Sequence, residues 1–151
     1  MTTVKAANAR SVFAIRHKAE PLVRIQLIRE GVSPEDLIMT AGEMGITNEK
    51  VFSLLNFPRA TFNRRRKYNQ VLPVEQSERI VGLQSLIGQV ESMVAESGDP
   101  GGFNAAQWVA KWLEQPLPAL DNAKPAAFMD TMAGIELVSS LLAQTQSGAY
   151  A

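Results

Sequence analysis

The side chains best suited to chemistry in this sequence form a cationic run between residues 59 and 67. Arginine can donate two hydrogen bonds to guanine and asparagine can pair with adenine, while threonine hydroxyls and further cations bind phosphates. Such a set of donors is typical of a helix that enters the major groove of DNA. The candidate DNA-binding residues are Arg59, Thr61, Asn63, Arg64, Arg65, Arg66 and Lys67. A solvated basic helix without a ligand is the alternative interpretation.

The segment before this run has the pattern of the first helix of a helix-turn-helix motif. Thr47 is a suitable N-cap for an apolar helix, and Asn56-Phe57-Pro58 predicts a tight turn after it. The cationic run then supplies the second helix, which places its first residues at base edges. Phe62 lies off the polar face of that helix, so we expect it in the core.

Charge is divided unevenly along the chain, although the formal net charge is zero. Residues 1–67 hold 12 Lys or Arg and 6 Asp or Glu, a net charge of +6, whereas residues 68–151 hold 3 and 9, a net charge of −6. Because such asymmetry suggests different partners for the two halves, we expect the first half to meet a polyanion. Chance clustering on two solvated faces is the alternative.

Few residues could form a catalytic or metal site. The chain has no cysteine, which excludes disulfides, thiol catalysis and zinc sites built on thiolates. The single histidine, His17, lies in a basic N-terminal stretch without neighbouring ligand-type residues, where we expect it to be exposed to solvent. The sequence therefore predicts no enzyme, no bound cofactor and no metal.

Signals for helix starts recur along the chain. Ser33-Pro34, Thr47 and Asn104 each stand where an N-cap is expected, and each is flanked by apolar residues that can contact across the cap. Strict apolar and polar alternation is missing over any convincing length. The sequence thus predicts an all-α fold.

The longest helical pattern follows Pro73 and ends near Gly98. Gly82 and Gly88 lower its intrinsic helicity by about 1 kcal/mol each, so packing must support it. Its apolar seam belongs either to the chain's own core or to a dimer interface. The candidate dimerisation residues are Leu83, Ile87, Val90 and Val94.

The C-terminal third is separated from this helix by a glycine-rich stretch at residues 98–102, which predicts a linker. Two further apolar helical stripes follow, and the last ends before Ser147-Gly148. No apolar run approaches the roughly 20 residues that cross a bilayer, and Met1 to Ala14 contain no secretory apolar core. We therefore expect a cytoplasmic protein without membrane contact.

From Glu30 onward the sequence resembles the Xre/MbcA/ParS family of antitoxins, whose partners are RES-domain toxins. The likeness depends on short motifs in a fixed order rather than on any single residue. One departure is Asp121-Asn122-Ala123, where the family usually has a glycine. The matching residues are Arg29-Glu30-Gly31, Thr61, Arg64-Arg65-Arg66, Leu72-Pro73, Glu75, Ser77-Glu78-Arg79-Ile80, Trp112-Leu113, Pro116, Leu120, Pro125, Asp130-Thr131, Gly134, Val138, Leu141 and Gly148.

The resemblance implies a type II antitoxin that dimerises, binds the operator of its own operon and blocks the NAD pocket of an NAD-degrading toxin. NAD would then be a ligand of the toxin and not of this chain. A C-terminal tail with one tyrosine could enter that pocket, since an aromatic ring suits a site for nicotinamide or adenine. The candidate toxin-binding residues are Trp112, Leu120, Phe128, Gly148, Ala149, Tyr150 and Ala151.

These expectations divide the chain into four segments. Residues 1–19 form an N-terminal arm, 20–72 a helix-turn-helix DNA-binding domain, 73–98 a connecting or dimerisation helix, and 103–151 a small helical toxin-binding domain with its tail. The alternative function is a stand-alone helix-turn-helix transcriptional regulator whose C-terminal half only dimerises or binds an effector.

Overall fold

The computed structural model describes residues 12–98 and 101–147, and within these ranges it contains helices and no strand. This confirms the predicted all-α fold. No helix in the same ranges has both the length and the apolar character needed to cross a membrane. The helices are α1 (described over residues 12–18), α2 (Pro21–Glu30), α3 (Pro34–Met44), α4 (Asn48–Leu55), α5 (Arg59–Lys67), α6 (Val74–Ser97), α7 (Ala105–Trp112) and α8 (Met132–Ser147), with 3-10 turns at Pro118–Leu120 and Pro125–Phe128.

The three predicted N-caps are confirmed. The side-chain oxygens of Ser33, Thr47 and Asn104 accept hydrogen bonds from backbone N–H groups of the first helical turn, at 3.2, 3.0 and 2.9 Å. Each bond satisfies a donor that has no partner inside the helix. These caps fix where α3, α4 and α7 begin.

The long helix α6 is the centre of the fold, because α2, α3, α4, α7 and α8 all pack against it. Its two internal glycines permit close approach. A Cβ at Gly82 would lie 3.1 Å from Ile135 Cδ1 of α8, and one at Gly88 would collide with the carbonyl oxygen of Phe13 in α1. Close packing of α8 against Gly82 and of α1 against Gly88 therefore supports α6 at the two positions where glycine lowers its intrinsic helicity.

The apolar seam of α6 lies inside the chain. Leu83, Ile87 and Val90 are 1%, 0% and 3% exposed, and Val94 is half-buried against the same core. The prediction that these residues form a dimer interface is therefore wrong, because other helices of the same chain cover their side chains. Burial within the monomer, the alternative for this seam, accounts for its apolar pattern.

A single hydrophobic core extends from α1 to α8. Helix α3 packs on α7 as well as on α6, so residues on both sides of the 98–102 stretch bury one another. Gly98 and Gly102 have φ of 86° and 75°, as expected for a glycine-rich turn. The predicted linker therefore joins two parts of one packed unit.

The segment expected to be an arm is, from residue 12 onward, part of the fold. Phe13 is 2% exposed, and Arg16 Nη1 donates a 2.8 Å hydrogen bond to Oε1 of the fully buried Gln84. Arg16 also pairs with Asp36 at 3.6 Å. The expected arm is therefore wrong for residues 12–18, because an apolar anchor and a buried polar contact fix α1 on α6 and α3.

His17, in the same helix, is half-buried, whereas its sequence context predicts exposure to solvent. Burial lowers the pKa of its imidazole, and the positive charges of Arg24 and Lys18 lower it further. Both effects disfavour the charged imidazolium. Its position against α6 beside Gly88 gives it a structural contact.

Candidate nucleic-acid interface and partner-binding site

The turn between α4 and α5 has the geometry of a helix-turn-helix. Helix α4 ends at Asn56, whose φ of 56° is left-handed, and the N–H of Phe57 donates a 2.8 Å hydrogen bond to the carbonyl of Phe52. Asparagine tolerates this conformation better than most residues. Phe57 is 7% exposed and Pro58 precedes the first residue of α5. The predicted turn is thereby confirmed.

Helix α5 is attached to the core through one aromatic residue. Phe62 is 2% exposed and meets Phe52 edge to face, with 4.8 Å between ring centroids. Since Phe62 is the one buried residue of the helix, the remaining faces are free to carry polar groups. The predicted placement of Phe62 in the core is confirmed. The exposed candidate DNA-binding residues are Arg59, Asn63, Arg64, Arg66 and Lys67, while Thr61 and Arg65 are half-buried.

The cations of α5 are not equivalent. Arg65 Nη1 donates to the carbonyl of Val71 at 3.1 Å, so this guanidinium fixes the loop that follows the helix. Arg66 Nε lies 3.5 Å from a carboxylate oxygen of Glu35, an exposed pair that contributes little to stability. Within residues 12–98 and 101–147, no ion pair involves Arg59 or Arg64. These two arginines are therefore available for phosphate or base contacts.

Arg79 of α6 joins the helix-turn-helix to the C-terminal third. Its Nη1 donates to the carbonyl of Leu55, the last residue of α4, at 2.8 Å, and to the carbonyl of Asp130 at 3.3 Å. The guanidinium carbon also lies 5.5 Å from the centroid of the Phe57 ring in the turn. Sequence reasoning gave Arg79 no role, because its acceptors are backbone groups distant in sequence and carry no residue-type signal.

The aromatic candidates Trp112 and Phe128 are covered, wholly or in part, by the chain's own residues. Trp108 and Trp112 stack with 5.9 Å between centroids, Trp112 and Leu120 are 9% and 8% exposed, and Phe128 is half-buried. The expectation that Trp112 and Leu120 form a contact surface is wrong, because the chain's own residues cover them. The tail residues Gly148, Ala149, Tyr150 and Ala151 lie outside the described residues.

Asp121-Asn122-Ala123, where the family usually has a glycine, forms a closed turn. Asp121 and Asn122 have φ of 59° and 68°, a left-handed pair that a glycine would adopt without strain. The N–H of Asn122 donates to the carbonyl of Leu117 at 2.9 Å, and the N–H of Leu117 donates to the carbonyl of Ala123 at 3.1 Å. The turn therefore closes with aspartate and asparagine, which also tolerate this region.

A second close approach shapes the start of α8. Thr131 Oγ1 accepts a 3.0 Å hydrogen bond from the N–H of Gly134, and a Cβ at Gly134 would collide with the carbonyl oxygen of Phe128. Glycine is therefore required here by space. On the outer side of the helix, Leu137 is 42% exposed.

Comparison with known proteins identifies a family domain in each half of the chain. A family model described as an antitoxin Xre-like helix-turn-helix domain matches residues 23–85, and one described as the antitoxin Xre/MbcA/ParS C-terminal toxin-binding domain matches residues 102–148. A protein from Sphingobium sp. (strain YBL2), named Prs ADP-ribosylating antitoxin, is 44% identical over 135 residues, which cover 89% of this chain and 85% of that protein. The chain belongs to the Xre/MbcA/ParS family of antitoxins.

The antitoxin therefore has a helix-turn-helix domain and a toxin-binding domain, as the sequence motifs indicated. The family is one of antitoxins and not of enzymes, in agreement with the sequence analysis. The helix-turn-helix match extends to residue 85, and so includes the first half of α6. The helix that looked like a connector thus belongs in part to the DNA-binding fold.

Replacing Arg79 by Gln should lower the free energy of unfolding by about 1–3 kcal/mol, since carbonyls that lose a charged donor are left without an equivalent partner. Arg66→Gln is the matched control: it removes an exposed ion pair and should change stability by no more than about 0.5 kcal/mol. Urea unfolding of both variants measures this. Equal and small losses for the two variants would show that Arg79 does not fix the α4 end.

Proposed function

We propose that this antitoxin neutralises a RES-domain toxin that consumes NAD and that it also binds the operator of its own operon. The observation that carries the proposal is the toxin-binding domain match over residues 102–148 in a chain whose other half is a helix-turn-helix. A stand-alone regulator would not need that domain. Because NAD and operator DNA are both cytoplasmic in bacteria, we place the antitoxin in the cytoplasm.

The relative's name couples that protein to ADP-ribosylation, which adds ADP-ribosyl transfer to NAD hydrolysis as a candidate reaction of the toxin. Transfer of ADP-ribose and hydrolysis of NAD break the same bond, between nicotinamide and ribose. An antitoxin that occupies the NAD pocket would therefore block either reaction. We include both within the proposed activity of the toxin, and NAD remains a ligand of the toxin alone.

Inhibition through the C-terminal tail is the mechanism we favour. Helix α8 is described as far as Ser147, and the next residue in the sequence is Gly148, a residue type that lets a backbone change direction. Tyr150 supplies an aromatic ring for a pocket that otherwise receives nicotinamide or adenine. Leu137 of α8 is exposed and offers an apolar contact for the toxin in place of the buried Trp112 and Leu120.

Operator binding is proposed through α5. Arg59 begins the helix just after the turn, where a helix-turn-helix contacts base edges, and Asn63 lies one turn further on. Arg64 and Lys67 are exposed near the other end and suit phosphate contacts. The helix thus offers base-reading groups first and phosphate-binding groups after them.

For DNA binding, Arg64→Ala should weaken binding to every duplex sequence and lower the slope of log affinity against log salt by about one. The fold should be unaffected because this side chain is exposed. Lys111→Ala removes an exposed cation from α7 and is the matched control, expected to leave both quantities unchanged. Fluorescence anisotropy at several salt concentrations measures the slope. If Arg64→Ala behaves like Lys111→Ala, α5 does not bind DNA.

For toxin inhibition, a chain ending at Ser147 should still bind the toxin but restore its release of nicotinamide from NAD. Tyr150→Ala should restore part of that release, since it removes the ring and leaves the tail. Tyr68→Ala is the control, because Tyr68 is 61% exposed at the end of α5, in the DNA-binding half. Nicotinamide release reports both hydrolysis and ADP-ribosyl transfer. Full inhibition by the truncated chain would eliminate the tail mechanism and leave toxin binding itself intact.

A further inference from the structure

Ala60 is the one exposed residue of α5 that has no polar side chain. It is the second residue of the helix, in the turn that a helix-turn-helix places at the base edges of DNA. The other exposed side chains of α5 carry a guanidinium, an ammonium or an amide. Because a methyl group can neither bind a phosphate nor donate to a base, Ala60 differs from its neighbours in what it could recognise.

The direction in which Ala60 points follows from the buried side of α5. At about 100° per residue, Ala60 lies about 160° from Phe62 around the helix axis, and Arg64 lies about 160° from it in the other sense. Phe62 is 2% exposed and attaches the helix to the core. Ala60, Arg64 and Lys67 therefore form the side of the helix farthest from the core, which we call the outer face of α5.

Side-chain contacts agree with this orientation. Arg65 and Arg66 flank the buried side of the helix, and both contact the chain itself. Arg65 Nη1 donates to the carbonyl of Val71 at 3.1 Å. Arg66 Nε lies 3.5 Å from a carboxylate oxygen of Glu35. The outer face of α5 is directed away from both contacts and is therefore the side that a groove of DNA would meet.

The base-edge group that matches an outward methyl is the C5-methyl of thymine. In the major groove all bases present hydrogen-bonding groups, and among the four standard bases thymine alone adds a methyl. A polar base edge covered by Ala60 would lose water without gaining a hydrogen bond, which costs free energy. Thymine would instead bury its methyl against that of the alanine, which the hydrophobic effect favours.

Asn63, one turn further along α5, is suited to the adenine of the same or the adjacent base pair. Residues three apart on a helix have Cβ atoms about 5–6 Å apart, and successive base pairs are about 3.4 Å apart. An asparagine amide can form two hydrogen bonds with adenine, the partner of thymine. 5-Methylcytosine carries the same C5-methyl, but it pairs with guanine, which arginine or lysine matches better than asparagine. The pair of side chains therefore favours thymine.

We infer that Ala60 is a specificity-determining residue whose methyl group contacts the C5-methyl of a thymine in the bound DNA. The thymine belongs to an A·T pair, and Asn63 reads the adenine of that pair or of its neighbour. This inference rests on the proposed operator binding through α5 and adds to it the base that the first turn of the helix selects.

Exchange of thymine for uracil tests the contact, because deoxyuracil lacks only the C5-methyl. Duplexes that the full parent chain selects from a random library are made again with single thymines replaced by deoxyuracil. At least one replacement should lower affinity about three- to fivefold, the order expected for one buried methyl. Ala60→Gly should bind the thymine and uracil duplexes equally at that position. The comparison is made within one variant, so a loss of folded protein cancels.

Ala143→Gly is the matched control, because Ala143 is exposed in α8 and the same substitution lowers helix propensity there. It should keep the parent's preference for thymine. Parent binding that ignores every uracil replacement, or a preference that survives in Ala60→Gly, would overturn the inference and leave operator binding in place. A parent chain that binds no duplex would overturn the proposed operator binding, and this inference with it.

A final duplex distinguishes the two pyrimidines that carry a C5-methyl. Replacing the sensitive A·T pair by guanine and 5-methylcytosine should lower affinity, because Asn63 then faces guanine in place of adenine. Equal affinity for the two duplexes would show that the helix does not select thymine and would overturn the inference.

Discussion

One guanidinium on the central helix supports two distant pieces of backbone. The carbonyls at the end of a helix lack partners within it, and Arg79 donates to the last carbonyl of α4 and to that of Asp130, just before α8. Arginine suits this task because its planar group holds several donors in fixed directions. The turn that orients α5 and the segment before α8 are therefore both held by the side chain of Arg79.

This contact belongs to a wider constraint, which is that both halves of the antitoxin share α6. The helix-turn-helix part packs on it through α2, α3 and α4, and the toxin-binding part through α7 and α8. The buried amide of Gln84 strengthens the frame by donating to Asp36 and Thr40 of α3, at 3.2 Å each, while accepting from Arg16. Because the polar group is fully paired, its burial specifies how α1, α3 and α6 meet.

Local features could be predicted from the sequence because their physics is local. A cap such as Ser33 bonds the backbone two residues away, and the turn after α4 depends on the left-handed tolerance of Asn56 and on Pro58. Phe62 could be assigned to the core because it is apolar on an otherwise polar helix. The C-terminal toxin-binding domain could be predicted because the family's motifs occur here in their usual order.

Long-range features could not be predicted, because one sequence pattern is compatible with several environments. An apolar seam at Leu83 and Ile87 looks the same in a core and in a dimer, and Trp112 looks the same inside a domain and on a binding surface. Arg79 was missed because backbone acceptors have no residue-type signature. The burial of α1 depends on Gly88, whose missing side chain matters only where another helix crosses it.

The shared core implies that the helix-turn-helix and toxin-binding halves unfold as one cooperative unit. Both tryptophans of the chain, Trp108 and Trp112, lie in the toxin-binding half, whereas far-ultraviolet circular dichroism reports all helices. Equilibrium unfolding in urea, followed by both signals on the same samples, tests whether the two halves unfold together. We predict coincident transitions with one midpoint and one slope. A fluorescence transition separated from the loss of helix would contradict the shared core.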